Sequence, residues 1–196
     1  TTGEGGVVVT NNKEFYEKLK MLRNHGIDKS ALDRFGPKAG WAYDLKFLGR
    51  NYRITDFQAA LGISQLKKLD EFIRRRKEIV KMYNEAFETM PEVEVPTVKP
   101  YVKHAWHIYT ILLNDINRDE FFSRMRERNI GVNVHYIPIY RFSYYQQHFN
   151  FNPKDFPVTE EVFSKIVTLP LFPKMEDEEI TYVINTVKET INEVKS

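Results

Sequence analysis

Asn51 and Arg53 stand two positions apart in the stretch GRNYRITDFQAALG, immediately ahead of residues that read as the start of a helix. An amide, a guanidinium and the unbonded N–H groups of a helix N-terminus suit a phosphate, and an arginine keeps its charge at any biological pH. The same residues also fit a plainer reading, a solvated loop arginine beside an asparagine that makes a local turn. A second chemical group is His135, Tyr136, Tyr140, Tyr144 and Tyr145 in GVNVHYIPIYRFSYYQQHF. An imidazole that titrates near neutrality among several phenols can orient a polar ligand or pass a proton. A histidine at a strand end can equally be a hydrogen-bonded structural residue.

Other patterns carry less. His104 and His107 flank Trp106, but their spacing of three fits neither one strand face nor a zinc helix motif, and no acidic third ligand is near, so a metal site is rejected. The run RRRKEIVK from Arg74 to Lys81 spreads around a helix, with Asp70, Glu71 and Glu78 interleaved as partners, and reads as a solvated face. GEGG near the start lacks the G-x-G-x-x-G spacing and precedes a strand pattern instead of joining a strand to a helix. No P-loop or nucleophile triad is present.

The balance of 29 Lys+Arg against 27 Asp+Glu gives a formal charge of +2, too small to argue for nucleic acid or a membrane surface. With 42% hydrophobic and 29% charged residues in 196, the chain has the composition of a folded globular protein. The absence of cysteine removes disulfides and thiolate metal sites and fits a reducing cytoplasm, the expected location. No apolar run approaches a spanning helix. The 11 Tyr and 14 Phe crowd the segment from Trp106 to Phe156, either as core or as a surface for a planar or sugar-like ligand.

Elements must position these groups. VVVT at Val7 to Thr10 reads as a short buried strand, followed by a helix over Lys13 to Arg23 that Gly26 caps. Asp28 to Gly49 is irregular, dotted with Gly36, Pro37 and Gly40, and loops of that length are often functional. Thr55 and Gln58 have the spacing of a capping box, and an apolar stripe from Phe57 to Phe87 predicts one long helix, or two joined by a kink, that ends before Pro91. Gly62 within it suggests close approach of another backbone. PEVEVPTVKPYVKH reads as a boundary or crossover. Beyond it a strand (His107 to Leu113), a helix (Asn117 to Arg128), a strand (Val132 to Ile137) and a Tyr-rich turn are expected. The last helix carries Ile180, Val183, Ile184, Val187, Ile191 and Val194 on one face, with Glu176 to Glu179 at its N-terminal dipole. From the residues alone this is an α/β protein with an anion site and an aromatic-lined pocket.

Four stretches carry a resemblance: TTGEGGVVVTNN, KLKMLRNHGI, GRNYRITDFQAALGISQLKKLDEFIRRR, and GVNVHYIPIY followed by FPVTEEVFSKIVTLPLFPKMEDEEITYVI. In this order and spacing they resemble the C-terminal half of the pyridoxal-phosphate-dependent sugar aminotransferases of the DegT/DnrJ/EryC1/StrS family, over essentially all 196 residues. HYIPIYRFSYYQQHF resembles most the branch that aminates UDP-4-keto-6-deoxy-N-acetylhexosamines on the pseudaminic acid route.

The resemblance implies an α/β fold, the C-terminal part of a fold-type-I transferase. Residues 1–72 would be the remainder of the large cofactor domain, 73–196 the small C-terminal domain, and a long helix over 55–90 would bridge them. It implies pyridoxal 5'-phosphate as cofactor, glutamate as donor, a nucleotide-linked 4-keto-6-deoxy sugar as acceptor, and a homodimer with shared active sites. Asn51 would reach the cofactor phosphate of the partner subunit, Arg53 would lie in the same anion-binding region, and His135 and Tyr136 would line the sugar-nucleotide pocket. Tyr140 stands where many members have histidine, and is expected at the substrate. His25 and Glu4 fall in family motifs without an assigned role. In the family TTGEGG follows the Schiff-base lysine, which would lie three residues before Thr1, so this stretch is expected to be part of a longer enzyme and inactive by itself. Two alternatives stay open: a dehydratase of the same fold with histidine in place of that lysine, and a non-catalytic interaction or regulatory protein.

Overall fold

The computed structural model describes residues 1–29 and 41–195. The chain forms two compact units, residues 1–69 and 70–196. The reading of Gly36, Pro37 and Gly40 as a functional loop falls outside the described residues.

In the first unit, α1 spans Lys13–Leu22, started by Asn12, whose side chain accepts the Phe15 N–H. It stops where His25 and Gly26 take positive φ, 63° and 78°, a conformation that glycine adopts without penalty. Helix α2 spans Asp56–Leu66 behind the expected capping box: the Thr55 hydroxyl accepts the Gln58 N–H and the Gln58 side chain accepts the Thr55 N–H. Gly62 does meet a close neighbour, but a side chain: a Cβ there would lie 3.2 Å from the Thr2 methyl. The expected strand at Val7–Thr10 does not form, and Val7, Val8 and Val9 are exposed. A strand exists only through ladder bonds to a neighbour, and none of the described residues supplies one.

Helix α3, Leu69–Phe87, belongs to the second unit from Asp70 onward. It is separate from α2, because the Lys67 and Lys68 N–H groups turn back to Ile63 and Gln65 and close the first helix. The 55–90 stripe is therefore two helices. Strands β1 (Val93–Glu94), β2 (Tyr109–Leu113) and β3 (Ile166–Leu169) form an antiparallel sheet in the order β1-β2-β3, with Val93 opposite Leu113 and Ile111 opposite Val167. The Pro-rich stretch is thus a connection from β1 to β2 inside this unit. Alternation along β2 puts Tyr109, Ile111 and Leu113 into the core.

Helix α4, Arg118–Glu127, starts at Asn117, whose side-chain Oδ1 accepts the Asp119 and Glu120 N–H groups. After a short α5 (Ser143–His148) and α6 (Pro157–Lys165), α7 runs over Asp177–Lys195. Ile180, Val183, Val187 and Ile191 of α7 join Ile79, Tyr83 and Phe87 of α3 and Phe121 and Met125 of α4 in one cluster with the sheet. The expected strand over Val132–Ile137 shrinks to one bridge, Asn133 to Thr168. Its ladder stops because the Val134 N–H goes to the Asn133 side chain and Pro138 has no N–H to offer. No helix among the described residues is long and apolar enough to cross a membrane.

Candidate functional site

The expected site residues fall in both units, and each group has its own scaffold. In the first unit the segment Gly49–Tyr52 lies against the turn that ends α1. Arg50 N–H donates to Leu22 O at 2.8 Å, His25 N–H to Arg50 O at 2.9 Å and Tyr52 N–H to Arg23 O at 2.9 Å, around an Asn24–Asn51 bridge. The two backbones approach so closely that a Cβ on Gly49 would sit 2.2 Å from Gly26 N, and one on Gly26 1.8 Å from Phe47 O. Glycine is the residue that permits this contact. Arg53 Nη1 donates to Asn24 Oδ1 at 2.7 Å, which aims the guanidinium while leaving it other donors. Among the described residues no carboxylate pairs with Arg53 and nothing bonds to the Asn51 side-chain amide, which is exposed.

Beside this group the glycine-rich start of the chain is tied to α2. Gln58 Nε2 donates to Glu4 O at 2.9 Å, and the Thr2 hydroxyl donates to the same oxygen at 2.8 Å. An unpaired amide and a cation without a carboxylate, on a loop fixed by backbone bonds, are the donor set a phosphate needs.

In the second unit β3 is the post. Thr168 exchanges both backbone bonds with Asn133, at 2.7 and 3.1 Å, and its hydroxyl lies 2.8 Å from His135 Nδ1. His135 Nε2 lies 3.2 Å from Asn133 Nδ2. The Tyr136 ring meets the imidazole edge-on, centroids 4.6 Å apart, and is 75% exposed. Tyr140, by contrast, is buried: it stacks on Phe156 and its hydroxyl donates to Glu160 at 2.7 Å. Burial, then the Glu160 bond, pushes this phenol up to about 12. The Arg141 guanidinium, then the Tyr140 hydroxyl, holds the Glu160 carboxyl below its ordinary range. Tyr144 stacks on His148 and Tyr145 on Phe149, apart from these bonds.

The sequence reading missed Asn24, Asn133, Glu160 and Thr168, the residues that orient the others. Thr168 did carry a signal, a lone hydroxyl in the apolar strand IVTL. His104 accepts the Trp106 N–H within a local turn, and the described residues hold no cluster of three metal-ligating side chains. Arg74 and Arg75 pair with Glu78, Arg75 also with Asp177, and Lys81 with Glu85, so these three basic residues are paired, though not with Asp70 or Glu71, while Arg76 Nε is buried without a partner among the described residues. A cleft of about 650 Å³ between Ile130, Phe172, Met175 and Tyr182 includes none of the expected site residues.

The model of the DegT/DnrJ/EryC1/StrS aminotransferase family matches residues 1–188. The chain belongs to this family. Among its relatives are an uncharacterised protein of Methanocaldococcus jannaschii, 43% identical over 197 residues (98% of this chain, 51% of the relative). The UDP-4-amino-4,6-dideoxy-N-acetyl-beta-L-altrosamine transaminase of Campylobacter jejuni is 43% identical over 150 residues (75% of this chain, 38% of the relative). Among solved structures, PseC of Helicobacter pylori, an aminotransferase of pseudaminic acid biosynthesis, superposes with a TM-score of 0.82 at 31% identity, over 98% of this chain and 50% of its own. The chain thus spans about half the length of the curated relatives it matches. The α/β fold expected from the sequence is the one found, and it is shared with the family's sugar aminotransferases. Those enzymes depend on pyridoxal 5'-phosphate, and their solved structures include cofactor-bound forms.

Proposed function

We propose that this chain serves a pyridoxal-phosphate-dependent aminotransferase that moves an amino group from glutamate to a nucleotide-linked 4-keto-6-deoxy-N-acetylhexosamine. The observation that carries this reading is the 43% identity to the C. jejuni transaminase over 150 residues, within a family match that spans residues 1–188. The donor set in the first unit supports it. Asn51 and Arg53 would hold the cofactor phosphate, the amide by its two N–H groups and the guanidinium by charge, in the active site of a neighbouring protomer of a homodimer. When bound, pyridoxal phosphate supplies the carbonyl carbon that carries the amino group and the ring that draws off the electron pair left on the reacting carbon.

This chain's residues then position and exclude. Asn24 orients the exposed Arg53 guanidinium through the 2.7 Å bond. The His135–Tyr140 turn, pinned to Thr168 at its start and Glu160 at its end, would present Tyr136 to the nucleotide sugar, with Tyr140 anchoring the turn beside it. The Schiff-base lysine and the residue facing the pyridine nitrogen would come from sequence outside this chain. The division of a large-domain remainder (1–72) from a small domain (73–196) is supported by the compact units meeting between Leu69 and Asp70.

The test is amination by the complete protein. Purified with cofactor, it is expected to convert a UDP-4-keto-6-deoxy-N-acetylhexosamine to the 4-amino sugar with glutamate, followed by mass spectrometry of the product and of 2-oxoglutarate. Failure to aminate any keto nucleotide sugar with any amino-acid donor overturns the reading.

A further inference from the structure

The protonation of His135 can be read from its neighbours. The Val134 N–H is a donor, so the Asn133 side-chain atom 2.8 Å from it must be the carbonyl oxygen. That fixes the amide's orientation and leaves its NH₂ group facing His135 Nε2 at 3.2 Å. A donor faces Nε2, so Nε2 accepts and carries no proton. The proton of the neutral ring is therefore on Nδ1, and it donates to Thr168 Oγ1 at 2.8 Å. Both ring nitrogens are then occupied inside the chain. Thr168 itself is 5% exposed and bonded through both backbone groups to Asn133, so the acceptor cannot drift. What the imidazole offers outward is its ring against Tyr136, whose hydroxyl makes no hydrogen bond among the described residues.

We propose that His135 is a positioning residue: Asn133 and Thr168 lock its imidazole in the Nδ1–H tautomer, and the locked ring aims the Tyr136 phenol at the nucleotide sugar. This rests on the aminotransferase reading above and deepens it. It separates the two residues, giving substrate contact to Tyr136 and none to the nitrogens of His135. It also predicts that no proton passes through this histidine during the reaction.

The first test needs no turnover. In long-range ¹⁵N–¹H spectra of histidine-labelled protein, His135 is expected to show a protonated Nδ1 and a bare Nε2; an Nε2–H tautomer overturns the proposal. The second uses the complete enzyme. Thr168→Val is expected to raise KM for the keto nucleotide sugar about tenfold, the loss of one orienting hydrogen bond, with kcat within about twofold. Thr168→Ser, which restores the acceptor, is expected to return KM to the wild-type value. His135→Asn, with no titrating group, should raise KM likewise and keep both limbs of the kcat/KM pH profile, and the double variant should be no worse than His135→Asn alone. Loss of a pH limb, or a fall in kcat at unchanged KM, overturns the proposal by placing the imidazole on the reacting atoms. A Thr168→Val enzyme with wild-type KM overturns it as well. If Thr168→Val does not fold, Asn133→Asp replaces it, since a carboxylate puts an acceptor against Nε2 and should raise KM through the wrong tautomer. Wild-type enzyme that aminates no keto sugar removes the parent reading, whereas an active wild type with unresponsive variants removes only this one.

Discussion

Single side chains set what each group can do, and two of them invite direct tests. Asn51 offers an exposed amide with no partner among the described residues, so its role depends on the ligand that reaches it. In the complete protein Asn51→Ala is expected to weaken cofactor binding about tenfold, and Asn51→Asp at least about a hundredfold because it sets a carboxylate against a phosphate; equilibrium dialysis measures both. Glu160 carries a pH signature. Its carboxyl is held below the ordinary 4.5 by Arg141 and Tyr140, so folding favours the ionised form. That contribution is complete above the unfolded value and is lost as pH falls through the lower folded one. Tyr140 works in the opposite sense: raised from 10.0 to about 12, its contribution is present below 10.0 and lost as pH climbs toward 12. Urea midpoints against pH should show a shallower acid limb in Glu160→Gln and a shallower alkaline limb in Tyr140→Phe. Unchanged limbs would mean that the Tyr140–Glu160 bond does not hold the turn in solution.

Elements decide how much of this could be read from residue order. The start of α2 was legible because Thr55 and Gln58 satisfy one another within a single turn, and the buried face of α7 because a 3.6-residue period needs no distant partner. The segments that misled depend on partners far along the chain. Val7–Thr10 has strand composition but no ladder among the described residues, and Val132–Ile137 loses its ladder after one bridge to Thr168. The break at Lys67–Lys68 contains neither proline nor glycine to announce it. At the candidate site, residue types alone singled out Asn51, Arg53 and His135 as candidates. The residues that orient them could not be found this way, since Thr168 lies 33 positions from His135 and Glu160 lies 20 from Tyr140. Glycine geometry supplies an element-scale prediction. Gly49→Ala or Gly26→Ala should force the Asn51 loop off the α1 turn, because the new methyl would meet backbone atoms within 2.2 Å. In the complete protein each is expected to lower exchange protection at the Arg50 and Tyr52 amides below the wild-type level, whereas Gly6→Ala, with open space around it, leaves it unchanged.

Over the whole chain, apolar burial is unequal. In the first unit only Gly26 and Ile27 are buried among the described residues, and Val9, Trp41 and Phe57 stand more than nine-tenths exposed. The second unit holds one continuous cluster that joins β2 and β3 to α3, α4 and α7. Cooperative protection requires such shared burial, because an amide opens locally wherever few apolar contacts must break with it. Hydrogen exchange on this chain should therefore find the slowest amides in β2, β3 and α7, and fast exchange in α1 and α2 despite their well-formed caps. Ile111 sits fully buried at the centre of that cluster, paired across to Val167. Ile111→Ala is expected to lower the opening free energy by about 2–5 kcal/mol. If the cluster is one cooperative body, the fall must be equal in β2, β3, α4 and α7, since none can open without exposing the same core. A fall confined to β2 and its sheet neighbours would show instead that the helices α4 and α7 hold together without the sheet.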